Sequence, residues 1–208
     1  MKIYLAALLF LVSFTTQASQ RAVTEEGNIV ILNDNGTWVY ETPDAVYGSE
    51  IPTNKQKFVK PEESTFKVKS TRNDSGVWLD AKSWGFNKTS SNSDAEYQFQ
   101  LKGEDLYGML IPERIEIRLE ALAKIALDNA KLAASNIKRT KIEYRDVNGL
   151  KVIYMEMQGT MQGIDVTYAG YYYSNKTGST QLVTWTGTTL FEKYESEVHN
   201  FLNGFVGQ

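Results

Sequence analysis

The chain has 208 residues, with no cysteine, one histidine (His199), and 22 basic against 25 acidic side chains. Without cysteine there is neither a disulfide framework nor a thiolate zinc site, and one histidine cannot build a multi-histidine metal centre. The net charge of -3 argues against non-specific nucleic-acid binding, which needs a basic face to neutralise phosphates. We therefore predict no metal site, no cofactor and no nucleic-acid partner.

Residues 1–18 have the pattern of a secretory signal peptide. Lys2 supplies the positive charge, Ile3–Phe14 is an apolar run, and Thr16–Ala18 offers small residues at the usual cleavage spacing. As a helix the apolar run would rise about 18 Å, short of the roughly 30 Å hydrocarbon core of a bilayer. We expect a cleaved signal, a secreted or periplasmic product, and no stable membrane insertion after cleavage.

Residues 19–41 are predicted to form a small β-meander. Ala22–Thr24 and Val30–Leu32 are rich in β-forming residues, and Asn33–Gly36 is a strong turn signal before Thr37–Tyr40. A unit of about twenty residues is too small to be stable alone. It therefore has to dock, either on the rest of the chain or on a partner.

Residues 42–64 separate this unit from the remainder of the chain. They contain Pro43, Pro52 and Pro61 and few large apolar side chains, which is linker composition. An ordered surface loop that wraps the main domain fits the same composition. The main domain is predicted to span residues 65–208.

The first half of the main domain reads as short strands followed by a helix. Alternation in Tyr97–Leu101 places its apolar side chains on one face, and the continuous apolar run Leu106–Ile111 is typical of a strand covered on both faces. Apolar residues then recur at helical spacing, which predicts a helix over Leu119–Ser135. Phe66–Lys69 also alternates as a strand, and Val77–Leu79 and Trp84–Phe86 are two short apolar patches around a polar turn.

Four strands and a closing helix are predicted for the second half. The strands are Ile137–Asp146, Leu150–Met157, Ile164–Ser174 and Gln181–Thr186, and Asn148-Gly149 is a preferred hairpin turn between the first two. Thr189 and Glu192 have capping-box spacing at the start of the last helix, and Gly204 stands where a left-handed C-cap is expected. Short turns between consecutive strands favour antiparallel pairing, so the fold class is α+β, with helices covering an antiparallel sheet.

This chain resembles the PsbP-like superfamily, which includes the extrinsic PsbP protein of photosystem II, the Ran-binding Mog protein and the envelope protein DcrB. The likeness spans about residues 66–206 and rests on element order and scattered aromatic and glycine positions. The segments that carry it are Gly76–Asp80, Leu106–Leu110, the long helix, Val147–Gly149, Gly170–Tyr173 and Phe191–Gly204. The resemblance implies an antiparallel sheet sandwiched by helices, and relatives that mostly bind or assemble with other proteins.

No catalytic residue is predicted. His199, the one candidate base for a nucleophile, lies on the flank of the last helix, where a surface position near the C-terminus accounts for it. Acidic pairs occur at Asp94/Glu96, Glu104/Asp105 and Glu143/Asp146, but acid–base work would require one member to be desolvated in a cleft.

Aromatic side chains are the candidate binding residues. In the strand around Tyr171 and Tyr173 alternation sends these two rings to one face and Tyr168 and Tyr172 to the other, and Trp185 follows on the next strand. They form core under the helices, or a partner surface where a face is left uncovered. Trp38 and Tyr40 belong to a unit with little core, so they are interface candidates.

Three functions fit these features. The leading hypothesis is an exported, non-enzymatic binding or assembly module that acts on another envelope protein. A second is a small-ligand carrier, with Tyr171, Tyr173 or Trp185 lining a pocket between sheet and helix. A third is a carboxylate-dependent hydrolase, which predicts a buried Asp or Glu with a raised pKa.

Overall fold

The computed structural model of the protein describes residues 20–41, 51–88 and 94–207. These ranges contain fourteen strands and two α-helices. The strands are β1 (Gln20–Val23), β2 (Ile29–Leu32), β3 (Trp38–Tyr40), β4 (Thr53–Phe58), β5 (Phe66–Lys69), β6 (Gly76–Leu79), β7 (Trp84–Asn87), β8 (Tyr97–Leu101), β9 (Tyr107–Glu113), β10 (Lys138–Val147), β11 (Leu150–Met161), β12 (Ile164–Asn175), β13 (Gly178–Gly187) and β14 (Phe205–Val206). The helices are α1 (Leu119–Ala133) and α2 (Phe191–Asn203), and the predicted signal peptide, residues 1–18, lies outside the described residues.

An eight-stranded sheet forms the body of the protein. Its strand order is β4-β10-β11-β12-β13-β9-β8-β7, and four long consecutive strands make its centre. Asn148 and Gly149 connect β10 to β11 with φ values of 52° and 83°. Two positive φ values are what a type I′ turn requires, so the predicted Asn-Gly hairpin is confirmed.

Strand β4 corrects two predictions. It pairs parallel to β10, with Thr53 opposite Tyr144, so the large sheet is mixed and not purely antiparallel. It also lies inside residues 42–64, so the linker interpretation is wrong for Thr53–Phe58, while residues 42–50 lie outside the described part of the chain. The sequence did not predict this strand, because β4 is a largely exposed edge strand with a polar sequence and no alternation of apolar residues.

The two helices cover opposite faces of this sheet. Helix α2 packs Tyr194, Val198 and Phe201 into a core with Tyr154 and Tyr171, and α1 packs on the reverse face. Members of the second core include Leu122, Ala126, Ile153, Met155 and Tyr172. Adjacent residues of β11 and β12 therefore belong to different cores, as period-two alternation dictates. The predicted helix-sandwiched α+β fold is confirmed.

The start and end of α2 differ from the prediction. A short 3₁₀ turn, Thr188–Leu190, precedes the helix, and its first turn has no side-chain cap, so the predicted capping box is absent. Gly204 has φ -69°, in the right-handed region, so the predicted left-handed cap is wrong. The glycine is needed for a different reason: a Cβ there would stand 1.9 Å from the carbonyl oxygen of Trp78 on β6.

Strands β1, β2 and β3 form a separate antiparallel sheet that docks on α1. Ile29 is 3% exposed and belongs to the core beneath α1. Arg118 donates its N–H to the carbonyl of Gly27 at 3.1 Å, and Arg21 Nη2 lies 3.1 Å from Asp128 Oδ2. Of the two docking possibilities for this unit, contact with the main sheet's helix is the one present.

Neither α1 nor α2 has the length and hydropathy of a membrane-spanning helix.

Candidate functional site

Trp38 and Tyr40 present an aromatic pair on the exposed strand β3. Their rings pack edge to face with centroids 5.1 Å apart. Trp38 is 53% exposed, Val39 52% and Tyr40 55%, although all three are large apolar or aromatic residues. Exposed aromatic rings of this kind are typical of contact surfaces.

The backbone of β3 also has a free side. Among the described residues β3 pairs with β2 alone. The carbonyl of Thr37 accepts a hydrogen bond from Asn33, and the N–H of Glu41 donates to Ile29, both at 2.8 Å. Because N–H and C=O directions alternate along a strand, those of Trp38 and Tyr40 point away from β2. The outer edge of β3 therefore offers hydrogen-bonding groups to an added strand.

Ion pairs fix the end of β3 to helix α1. Lys124 Nζ lies 3.0 Å from Glu41 Oε1 and 2.8 Å from Asp128 Oδ2, and Arg21 bonds the same Glu41 oxygen at 2.9 Å. Burial lowers the pKa of Lys124, but its hydrogen bonds to Asp128 and Glu41 outweigh this effect and raise that pKa overall. The ion pairs of Glu41 therefore attach the C-terminal end of β3, the strand that carries Trp38 and Tyr40, to helix α1.

The other predicted binding tyrosines are core residues. Tyr171 is fully buried and Tyr173 nearly so, both beneath helix α2. Tyr171 donates its hydroxyl to Asn203 Oδ1 at 2.7 Å, and the ring of Tyr173 meets Phe205 edge to face at 5.5 Å. Their assignment to a ligand or partner surface is therefore wrong, because the closing helix and β14 cover them.

Trp185 lies on the opposite face of the sheet from Tyr171 and Tyr173. It follows Val183 by two residues, and Val183 belongs to the core beneath α1. Its half-buried ring stacks on Tyr107 with centroids 5.6 Å apart. Tyr171 and Tyr173 are buried on one face, so of the three residues only Trp185 is placed where it could line a ligand site, and that site would not lie beneath α2.

A buried polar cluster lies between α2 and β10, and His199 belongs to it. Its Nε2 is 3.4 Å from the hydroxyl of Tyr154, which in turn donates to Glu156. The guanidinium of Arg145 stacks 3.5 Å above the Tyr154 ring. Burial, followed by the charge of Arg145, lowers the pKa of His199. The predicted surface position is therefore wrong: the ring packs toward the sheet.

The carboxylates with shifted pKa values do not fit an acid catalyst. Burial raises the pKa of Glu96, but hydrogen bonds from Thr71 and Ser70 outweigh it and lower that pKa overall. Burial likewise raises the pKa of Glu143, and the hydrogen bond from Arg145 is the larger of those that reverse the effect. Hydrogen bonds from Lys193 and Tyr194 lower the pKa of Glu104 as well. A general acid needs a raised pKa, so in each of the three predicted pairs the glutamate is shifted in the wrong direction.

An acidic cavity of about 180 Å³ opens between β6, β7 and α2, and Glu63, Asp80 and Glu197 are among its lining residues. Hydrogen bonds from Ser83 and from the backbone of Lys82 lower the pKa of Asp80. No cluster of metal-ligating side chains is found in residues 20–41, 51–88 and 94–207.

Sequence reasoning missed that no helix in the described part of the chain packs over one side of β7 and β8. Helix α1 packs mainly across β10, β11 and β12, so at the start of β9 Tyr107 is not covered as predicted, while Met109 packs against the core beneath α1. Tyr107 and Met109 are half-buried there and face the same side as Trp185. We call the side of β7, β8, β9 and β13 that carries Tyr107 and Trp185 the open face. The sequence contains a sign of this open face. Because Tyr97, Phe99 and Leu101 face one core, the polar residues Gln98 and Gln100 must lie on the other side of β8.

Comparison with solved structures identifies the architecture. The solution structure of cyanobacterial PsbP (CyanoP) from Synechocystis sp. PCC 6803 superposes with a TM-score of 0.54 and 12% identity, covering 71% of this chain and 95% of that one. The fold is PsbP-like. No protein-family model and no curated protein matches the chain.

Two further solved structures were found. The Pseudomonas aeruginosa protein PA94, of unknown function and described as a putative regulator, has a TM-score of 0.44 at 10% identity, covering 69% of this chain and 96% of its own. LpqN of Mycobacterium tuberculosis, described as involved in cell envelope biogenesis, has a TM-score of 0.38 at 8% identity, covering 72% and 80%.

Proposed function

We propose that the protein is an exported, non-enzymatic binding module that contacts another envelope protein through the outer edge of β3. The observation that carries the proposal is a strand edge that no other described strand pairs with and that bears Trp38, Val39 and Tyr40, each more than half exposed. The partner is expected to supply an extended segment that adds to β3 as a further strand. Export follows from the signal-peptide pattern of residues 1–18 and stays a prediction.

The chemistry of β3 supports strand addition over other modes of contact. Natural edge strands are usually guarded by lysine, proline or a bulge, because a free edge invites pairing with another chain. Strand β3 consists of Trp38, Val39 and Tyr40 and carries none of these guards. In strand addition the main-chain hydrogen bonds give affinity and alternate side chains give specificity. Trp38 and Tyr40 are the alternate side chains here.

The absence of catalysis is part of the proposal and has separate support. The hydrogen-bond partner of His199 is the phenol of Tyr154 and not a serine or threonine hydroxyl. The shifted carboxylates Glu96 and Glu143 have lowered pKa values, which suits hydrogen-bond acceptors better than proton donors. We extend the same reasoning to partners, and propose that no nucleic acid is bound.

Site-specific cross-linking in the periplasm tests the proposal. The chain has no cysteine, so Val39→Cys gives one attachment point for a thiol-reactive photo-cross-linker. Ile164→Cys is the matched control, because Ile164 is also a β-branched residue, 63% exposed, at a strand end of the main sheet. We expect a discrete adduct with one envelope protein from position 39 and none from position 164.

The backbone component needs its own control. Tyr40→Ala removes the ring, and Tyr40→Pro removes the ring and the outward N–H as well, at an edge position where proline is tolerated. If β3 is extended by a partner strand, the proline variant loses adduct yield well beyond the alanine variant. Equal loss in both variants would show that side chains alone make the contact. Equal adducts from positions 39 and 164 would contradict the proposal as a whole.

A further inference from the structure

The open face has a regular layout that follows from the strand register. Gly85 on β7 pairs with Gln100 on β8, Gln100 pairs with Tyr107 on β9, and Tyr107 pairs with Trp185 on β13. Asn87, Gln98 and Met109 form a second row of the same kind. At the usual strand spacing the first row crosses the sheet over about 14 Å.

The face is concave above β7 and β8. A depression of about 420 Å³ lies there, lined by Gly85, Phe86, Asn87, Gln98, Phe99, Gln100, Lys102 and Tyr107. Gly85 is also part of the lining, and a Cβ built there would make only van der Waals contacts, 3.9 Å from the carbonyl oxygen of Gln100 and 4.0 Å from Cε of Lys102. The volume falls within the range of small-ligand sites, which run from about 300 to 1,000 Å³.

Three of the polar side chains that line the depression are uncharged carboxamides, and the others are Lys102 and Tyr107. Asn and Gln side chains each provide two donors and one acceptor with two lone pairs, and three of them border the depression. Gln100 donates from Nε2 to the carbonyl of Glu104 at 3.3 Å, which holds its amide in place and leaves Oε1 to accept another bond. The amine of Lys102, which also borders the depression, donates to the carbonyls of Ala81 and Lys82 at 2.8 and 3.1 Å, so two of its three N–H groups are used by the backbone.

The aromatic groups provide a flat apolar wall beside these amides. The rings of Tyr107 and Trp185 are stacked, with an angle of 20° between their planes. Burial, followed by the nearby carboxylate of Asp105, raises the pKa of Tyr107, so the phenol stays neutral. A flat ring surface next to in-plane amide donors and acceptors matches a ligand with one C–H face and a rim of hydroxyl groups.

We propose that the open face is a binding site for a neutral oligosaccharide. The sugar rings lie on Tyr107 and Trp185, and their hydroxyl groups bond to Gln98, Gln100 and Asn87. The carboxamides favour this ligand class, because they offer both donors and acceptors to hydroxyl groups, and the amine of Lys102 already donates to two backbone carbonyls. The site is independent of β3, so either proposal can fail while the other holds.

Binding of defined hexasaccharides to the purified exported chain tests this site. The probes are cellohexaose, chitohexaose, laminarihexaose and maltohexaose, with hexagalacturonate as the charged comparison, and tryptophan fluorescence and NMR shifts of glutamine side-chain amides as readouts. We expect one neutral probe to bind with a Kd of about 1 mM or tighter. Gln100→Ala and Tyr107→Ala should each weaken it about tenfold, the loss of one good hydrogen bond or stacking contact.

Trp38→Ala is the matched control, because it removes an exposed aromatic ring away from the open face, and it should leave the Kd unchanged. Gln100→Ala keeps the test valid if Tyr107→Ala fails to fold, since Gln100 is exposed. No binding of any neutral probe at about 10 mM, equal binding in the open-face variants, or preference for hexagalacturonate would overturn the proposal. So would a dimer in sedimentation that Tyr107→Ala dissociates, since the face would then be covered by a second copy.

Discussion

Helix α2 owes its position to Phe201, and removing that ring tests the packing of the fold. Phe201 is 2% exposed and stacks on Trp84 with centroids 4.2 Å apart, while Phe99 meets it edge to face at 5.1 Å. Its ring also fills the space above Gly108, where a Cβ would be 3.1 Å from it. Phe201→Ala therefore opens a cavity among side chains that are themselves buried.

The expected cost is in the upper part of the range for buried Phe→Ala substitutions, which is about 3–5 kcal/mol. The stacked and edge-to-face contacts account for the upper part, because each such pair contributes about 0.5–1.5 kcal/mol beyond its buried area. Urea denaturation followed by tryptophan fluorescence measures the free energy of unfolding, and Trp84 reports on the site directly.

Phe86→Ala is the matched control, since Phe86 is 41% exposed on edge strand β7. It should cost about 1 kcal/mol or less, as surface substitutions do. A cost below about 1.5 kcal/mol for Phe201→Ala, or equal costs for both variants, would refute the docking of α2 on the sheet.

Three further predictions concern backbone contact and pH. Gly204→Ala should destabilise the protein by about 2 kcal/mol or more in urea denaturation, because the new Cβ meets a carbonyl oxygen. Gly36→Ala is the control and should cost about 1 kcal/mol, because Gly36 has a φ of +81° but no atom lies near its Cβ position. His199, as the one histidine, gives a single ring resonance in NMR titration, and its pKa should lie below the usual value of 6.5. Because the pKa of His199 is lowered in the folded state, the protein should be more stable above about pH 6.5 and should lose stability as the pH drops below that value. His199→Gln should flatten this dependence. An unshifted resonance would contradict the packing of the ring against the sheet. Glu96 also has a lowered pKa, so the wild type should lose stability as the pH falls below about 4.5. Glu96→Gln should lose less stability in that pH range. If the free energy of unfolding falls equally with pH in both proteins, the hydrogen bonds to Glu96 do not have the role assigned to them.

Local signals in the sequence predicted most of the main sheet. The Asn148-Gly149 turn, the alternation around Tyr171 and the helical spacing that begins at Leu119 each correspond to an observed element. These features succeed because turn chemistry and side-chain periodicity are properties of a few consecutive residues. Strand β4 was missed because its pairing with β10 depends on residues about 90 positions away and its own sequence is polar.

The candidate sites were predicted less well, because whether a helix or strand packs over a given side chain depends on the tertiary structure. Trp38 and Tyr40 were chosen as interface candidates because a small sheet has too little core to bury them, and both are exposed, although their contact role stays a prediction. Tyr171, Tyr173 and Trp185 were grouped although the sheet separates them, because aromatic content does not reveal which strands a helix crosses. The partial coverage by α1 leaves Tyr107 and Gln100 accessible, and only the strand order shows this.

The central claim is that β3 is the contact edge, and the yield of the cross-linked adduct from position 39 in a Trp38→Ser background tests it most directly. Since Trp38 is 53% exposed, the substitution should change the free energy of unfolding by about 1 kcal/mol or less. We predict that the adduct nearly disappears while the protein remains folded and exported. An undiminished adduct in that background would show that the partner does not recognise β3, and would contradict the account.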